Sequence, residues 1–218
     1  MTEEEWFAIS ESEIRHLVGA SSPRRQRLLA VATCRVLGEW INYPAAHAAL
    51  EVAETFADTG KTKAALRRSR QSLVVLRNEL YAPSSPLIDG GVEHALFGIQ
   101  VAASENAVIG TVCHVIESLI IAEGIADQGA RRTLFPVFRD IIGNPFRPIS
   151  FSPSWRTETA VLLARQMYDS REFRAMPILA DALQDADCDS DDILNHCRDA
   201  KQTHVRGCWV VDLVLGKA

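Results

Sequence analysis

Residues 42–60 read NYPAAHAALEVAETFADTG, and this pattern predicts one amphipathic helix. Apolar residues recur at helical spacing on one side, and polar or charged residues fall on the other. The inward set is Ala45, Ala49, Val52 and Phe56, and the outward set is His47, Glu51, Glu54 and Asp58. Pro44 suits the first position of this helix, and Gly60 suits the position after its end. The short break before Pro44 predicts an antiparallel packing against the preceding helix.

Further helices are predicted along the chain, because prolines and capping side chains mark where they start. These starts lie at Ser22-Pro23, Thr62, Ser152-Pro153, Met176-Pro177 and Ser190, and another helix is predicted over Ala130 to Ile142. The closing run Trp209 to Leu215 fits a helix or a strand, and we favour a helix since no other segment offers a strand partner. We therefore predict an all-α protein, an orthogonal or antiparallel bundle of roughly eight to ten helices.

The predicted domain organisation is one helical domain over residues 1–218, or two helical halves, 1–129 and 130–218, that meet near Gly124 to Gly129. An apolar helical stretch runs from 93 to 124, with its most apolar part at 107–122. His114 and Glu117 interrupt that part, and it is short for a bilayer span, so a buried helix is the better interpretation.

The composition excludes some classes of function. The net charge is −5 and the pI is about 5.7, which argues against broad nucleic-acid binding and against an anionic membrane surface. The start, MTEEEWFAIS, is acidic and lacks the basic and apolar regions of a signal peptide. Five cysteines without a secretion signal are expected to be reduced thiols in a cytoplasm.

The candidate metal ligands are Cys188, Cys197, His204 and Cys208. If the chain is helical from Thr203 onward, His204 and Cys208 share one helix face, as pairs of zinc ligands do. Cys197 could complete the site from the preceding helix, with Cys188 or His196 as the fourth ligand. The alternative is that these cysteines are ordinary buried thiols, because cysteine often packs as a small apolar residue.

Other motifs do not support a catalytic or nucleotide site. The GKT at residues 60–62 lacks the required earlier glycine, since Thr55 stands there, and a helix rather than a strand precedes it. The alternating aspartates at 187, 189 and 191 lack the glycine and the glutamate of a calcium loop. Neighbouring residues such as Cys113 and His114 point about 100° apart on a helix, which prevents a catalytic dyad. His204 and Cys208 could approach on one helix face, but no glycine-rich nucleophile turn or oxyanion hole is evident, so no catalytic residue is predicted.

Several segments resemble a known family. They are RLLAVATCR (27–35), ALEVAETFAD (49–58), RDIIGNPFRPISFSPSW (139–155), PILADALQDADCDSDDILNHCR (177–198) and HVRGCWVVDLVLGK (204–217). The chain is similar, on these segments, to a family of uncharacterised proteins that planctomycete bacteria carry in many copies. Family members often have Cys-Cys-Arg where this chain has Thr33-Cys34-Arg35. The resemblance implies a bacterial, cytoplasmic protein and supplies no mechanism, since the family has no established activity.

The expected function is that of a non-enzymatic helical module that binds another protein or itself. The charge is segregated into blocks, with six basic residues over 61–77 and six aspartates over 181–192, and such blocks favour docking specificity. The alternative is a zinc-dependent hydrolase or nucleic-acid-processing protein that uses the C-terminal Cys/His cluster. The only cofactor considered is zinc, and neither a nucleic acid nor a membrane is an expected partner.

Overall fold

The computed structural model describes residues 18–61, 63–82, 90–104, 127–144 and 149–217, except the side chains of 39, 40, 90 and 127–131. Every regular element in these ranges is helical, which confirms the all-α prediction. Nine α-helices lie within them: α1 (Pro23–Arg35), α2 (Pro44–Thr59), α3 (Lys63–Leu80), α4 (Gly90–Ala102), α5 (Asp127–Ile142), α6 (Glu158–Ser170), α7 (Met176–Gln184), α8 (Asp191–Arg198) and α9 (Trp209–Leu215). Short 3-10 helices occur at Gly38–Ile41, Pro153–Trp155 and Phe173–Ala175.

The chain divides into two compact units between Phe135 and Pro136, inside α5. The boundary expected from the sequence, after residue 129, lies earlier in the same helix. Helix α5 also begins earlier than predicted, at Asp127 rather than Ala130, and Pro136 stands inside it. Proline removes one backbone donor, yet this helix continues beyond it to Ile142.

The N-terminal unit shows how local sequence sets the helix ends. Ser22 caps α1, where its Oγ accepts a hydrogen bond from the Arg25 backbone N–H at 3.3 Å, and Pro23 is the first helical residue. Gly60 ends α2 in the left-handed conformation, with φ of 61°. The apolar faces of the helices then form one core, whose fully buried members include Leu50, Leu66, Leu73, Leu96 and Ile99.

The predicted polar face of α2 is wrong at Asp58, whose side chain is 9% exposed and accepts from Arg24 Nε at 2.9 Å, and at Glu54. The Glu54 side chain was expected to face solvent, but the residue is only 3% exposed. Arg35 of α1 explains the difference, because its Nε donates to Glu54 Oε1 at 3.1 Å and its Nη2 donates to Glu51 Oε1 at 2.7 Å. A buried carboxylate needs such a partner, so the pairing of α1 with α2 draws Glu54 inward.

The C-terminal unit has helices α6 to α9 and the end of α5. The helix predicted to start at Ser152-Pro153 is interrupted near its start, because a 3-10 turn ends at Trp155 and α6 begins only at Glu158. Thr157 caps α6, where its Oγ1 accepts a hydrogen bond from the Ala160 backbone N–H at 3.3 Å. Helix α9 confirms the helical prediction for the closing run. Helix α6 packs against α7 and α9, and α7 packs against α8. The shared core includes Ala164, Met167, Leu179, Ile193 and Val211.

Among the described residues, no helix has both the length and the apolar character that crossing a membrane requires. The whole apolar stretch 107–122 lies outside the described residues, as do the Cys113–His114 pair and Pro145–Pro148.

Candidate metal centre

The four predicted metal ligands all lie in the C-terminal unit and are shielded from solvent. Cys188, Cys197 and Cys208 are buried at 4%, 1% and 0% exposure, and the His204 side chain is 8% exposed. The structure brings together His204 and Cys208, whose Nδ1 and Sγ atoms are 3.9 Å apart. It leaves Cys188 and Cys197 outside the group that these two residues join.

The helical premise behind that pair is wrong. Residues 203–208 form an irregular segment with a turn, and α9 begins only at Trp209. The Cys208 backbone N–H donates to Val205 O at 2.9 Å, and Gly207 has a φ of 101°, which is a conformation that favours glycine. The turn thus brings the two side chains close without a shared helix face.

The residues that complete the group are Asp140 and His196. One ligand-type atom from each of Asp140, His196, His204 and Cys208 can be chosen so that all four lie within 4.8 Å of one another. Asp140 is on α5 and His196 is on α8, so each comes from a different element. The sequence offered His196 as an alternative fourth ligand. Cys197 is its neighbour on α8, and neighbours on a helix point about 100° apart, which places Cys197 on a different face.

Asp140 lies at the centre of the hydrogen bonds in this group. It is fully buried, and its Oδ1 accepts from His204 Nδ1 at 2.9 Å and from His196 Nε2 at 3.2 Å. Its Oδ2 accepts from the Val205 backbone N–H at 2.8 Å. One carboxylate therefore ties α5 to α8 and to the turn before α9.

Trp209 adds a contact that fixes the proton positions on His196. The indole Nε1–H donates to His196 Nδ1 at 3.2 Å. An indole nitrogen can only donate, so Nδ1 accepts and the proton of the neutral ring is on Nε2. His196 Nε2 also lies 3.3 Å from Cys208 Sγ. The proton-bearing nitrogen of this ring is thus the one that faces the other members of the group.

The pKa shifts follow from burial and from these contacts. Burial lowers the pKa of His196 more than the Asp140 carboxylate raises it, so the ring is neutral near pH 7. Burial would raise the pKa of Asp140, but the hydrogen bonds and charges of His196 and His204 outweigh it and leave this pKa below its usual value. Burial, followed by the charge of Asp140, raises the pKa of Cys208 well above that of a free thiol, so Cys208 is protonated.

The residue types and spacings suit a tetrahedral zinc ion. Zinc binds nitrogen and oxygen at about 2.0–2.2 Å and sulfur at about 2.3 Å, so ligand atoms in a tetrahedron are about 3.3–3.7 Å apart. The contacts among Asp140, His196, His204 and Cys208 range from 2.9 to 3.9 Å. Small adjustments of side chains would convert this cluster into a coordination shell. A zinc ion bound here would also promote loss of the Cys208 proton, because a coordinated thiol is deprotonated.

The rejected motifs have structural roles in the described residues. Gly60 of the GKT sequence ends α2, and a helix precedes it. Asp191 and Asp192 lie in the first turn of α8, where acidic side chains favour the positive end of the helix dipole. Ser190 stands at the cap position of α8 but makes no side-chain capping hydrogen bond, contrary to its expected role.

Comparisons with known proteins give no further guide to the site: no protein-family model, no curated protein and no solved structure matches the chain. The likeness to the planctomycete family stays a prediction from the sequence segments that carry it.

Proposed function

We propose that the C-terminal unit binds one transition-metal ion, best matched by zinc, through Asp140, His196, His204 and Cys208. The observation that carries this proposal is the convergence of four ligand-type atoms within 4.8 Å. Asp140 is 64 residues from His204 in the chain, so the convergence is a product of the fold. Carboxylate, imidazole and thiolate are the donor types that zinc binds in proteins.

The burial of the group supports a structural metal rather than a catalytic one. Catalytic zinc sites keep a coordination position open to water or substrate, whereas structural sites have four protein ligands. Asp140 and Cys208 are 0% exposed and His196 is 6% exposed, which leaves little access from solvent. The metal would connect α5, α8 and the turn before α9, so its binding energy would stabilise the C-terminal unit. The burial of the group therefore favours a structural metal site over the zinc-dependent hydrolase that the sequence offers as the alternative.

The test is the metal content of protein purified without a metal-affinity tag. We expect about one zinc per chain after exposure to zinc and removal of the excess. Cys208→Ser and Asp140→Asn should each lower this content sharply. Cys188→Ser is the matched control, because Cys188 is also a buried thiol of the same unit but lies outside the group. It should retain the metal.

The outcomes separate three readings of the cluster. If no zinc is retained by the wild-type protein, the proposal is wrong. If Cys188→Ser loses zinc while Asp140→Asn keeps it, the ligands are the set predicted from the sequence. If all variants keep zinc equally, the metal binds elsewhere in the chain.

We further propose that the chain acts as a helical module that binds another protein or a second copy of itself. Two large apolar side chains support this role, because Leu162 on α6 and Ile178 on α7 are 56% and 58% exposed. Contiguous exposed apolar patches mark protein-interaction sites, and a surface that contains both side chains would be such a patch. Light scattering or pull-down should show an assembly of the wild-type protein. The double substitution Leu162→Lys and Ile178→Lys should abolish this assembly, and the control Val75→Lys in the other unit should leave it intact. A wild-type chain that stays monomeric and recovers no partner contradicts this role.

A further inference from the structure

We propose that Trp209 controls metal binding at the C-terminal group: its hydrogen bond holds His196 in the tautomer that cannot bind zinc through Nε2, so zinc binding displaces the indole. This inference rests on the metal-binding function proposed above. It adds a residue that is not a ligand and a structural change that accompanies the metal.

The first step is the position of the His196 proton. Because Trp209 Nε1–H donates to His196 Nδ1 at 3.2 Å, the neutral ring carries its proton on Nε2. Nε2 is also the ring atom closest to the rest of the group, at 3.2 Å from Asp140 Oδ1 and 3.3 Å from Cys208 Sγ. In this hydrogen-bonded form, the nitrogen that would face the metal has no free lone pair.

The second step is what zinc requires of the same ring. A metal on Nε2 takes the lone pair of that nitrogen and moves the ring proton to Nδ1. Nδ1–H would then face the indole N–H across 3.2 Å, with two donors and no acceptor. Keeping both contacts would require an imidazolate that has lost both ring protons. The indole must therefore move away from Nδ1 when zinc binds.

The third observation is the position of the Trp209 indole before any metal binds. Trp209 is the first residue of α9 and is partly exposed, whereas Val210 and Val211 after it are fully buried. One side of the indole faces Gly143 at the end of α5, where an added Cβ would be 3.3 Å from Trp209 Cγ. The indole also packs against the His196 ring, with ring centroids 5.0 Å apart. Metal occupancy is thus linked to a partly exposed aromatic side chain at the junction of α5 and α9.

The direct test is nitrogen NMR of the histidine rings in metal-stripped, full-length protein, with His196→Gln used to assign the signals. We expect His196 to carry its proton on Nε2 without metal, and zinc titration to move that proton to Nδ1 as Nε2 coordinates. A ring that carries its proton on Nδ1 before zinc is added would overturn the inference. An unfolded metal-stripped protein would also overturn the inference about Trp209, while it would support a structural role for the metal.

The second test is the zinc affinity of Trp209→Phe, measured by competition with a chelator. Loss of one hydrogen bond that opposes the metal should tighten zinc binding by about two- to tenfold. Trp155→Phe is the control, since Trp155 is buried against Phe151 and is outside the metal group, and its affinity should equal that of the wild-type protein.

The affinity results distinguish the two proposals. If wild-type and Trp209→Phe proteins bind zinc equally, the inference about Trp209 is wrong and the metal site stands. If neither protein binds zinc, both proposals are wrong. Should Trp209→Phe fail to fold, the NMR experiment on the wild-type protein decides the question by itself.

Discussion

Asp140→Asn is the most informative single change, because it keeps the size of a fully buried side chain and removes its charge. Asp140 accepts three hydrogen bonds, from His204 Nδ1, His196 Nε2 and the Val205 backbone N–H. An asparagine offers one oxygen and one NH₂ in their place. The oxygen can keep the contact with Val205, but the NH₂ then faces the Nε2–H of His196. At least one buried donor is left without an acceptor.

The expected cost follows from these contacts. A hydrogen bond to a charged group contributes about 1.5–3 kcal/mol, and breaking a buried charged network by removing one partner costs about 3–5 kcal/mol. Because asparagine can keep one of the three contacts, we expect a loss of about 3 kcal/mol in the free energy of unfolding. For a chain of this size, that loss lowers the midpoint of thermal unfolding by about 6–12 °C.

The assay is urea unfolding followed by circular dichroism, with a chelator present so that only the hydrogen bonds are measured. Asp181→Asn is the matched control in the same unit. Asp181 makes a 2.8 Å ion pair with Arg198, but its side chain is 69% exposed, and exposed pairs contribute about 0–1 kcal/mol. If Asp140→Asn is no more destabilising than Asp181→Asn, the buried network does not stabilise this unit and our reasoning is wrong.

Three further predictions concern the C-terminal unit. Gly143→Ala should destabilise it more than Gly216→Ala in thermal unfolding, because both glycines have positive φ but only Gly143 would bring a Cβ to 3.3 Å from a Trp209 ring atom. Trp155→Ala should lower the free energy of unfolding by about 3–5 kcal/mol, since the residue is 8% exposed, and an unchanged value would refute its role in the core. Burial lowers the pKa of His196 in the folded protein, so as the pH falls the unfolded chain binds a proton at this residue before the folded chain does. The free energy of unfolding should therefore decrease as the pH drops below about 6.5. In His196→Gln, the free energy of unfolding from denaturation curves should depend less on pH in this range. An unchanged pH dependence would contradict the prediction.

Much of the fold could be predicted because its determinants are local. Pro23, Pro44 and Pro177 stand at or next to the first residue of their helices, and Gly60 takes the left-handed conformation that ends α2. These effects depend on backbone geometry and on residues within one turn. The burial of Glu54 could not be predicted from the local sequence, since its pairing with Arg35 on another helix explains it.

Only the part of the candidate site that depends on local sequence could be predicted. His204 and Cys208 are four residues apart, so their proximity could be inferred, although the reason given was a helix and the actual cause is a turn at Gly207. Asp140 had no signal in the sequence beyond being an acid between two apolar segments. Its partner His204 is 64 residues away, and only the packing of α5 on the closing segment joins them.

The hydrogen-bonded network and the proposed metal centre would be two states of the same side chains, and these states would differ in protons. In the network, Cys208 keeps its proton and Asp140 carries a buried negative charge that hydrogen bonds stabilise. Zinc would bring two positive charges against one carboxylate and one thiolate, so both anions would be balanced where burial makes an unpaired charge costly. Zinc should therefore raise the thermal midpoint of the wild-type protein by ligand linkage, and it should not do so in Cys208→Ser. An equal rise in both proteins would show that the stabilising ion binds outside this group.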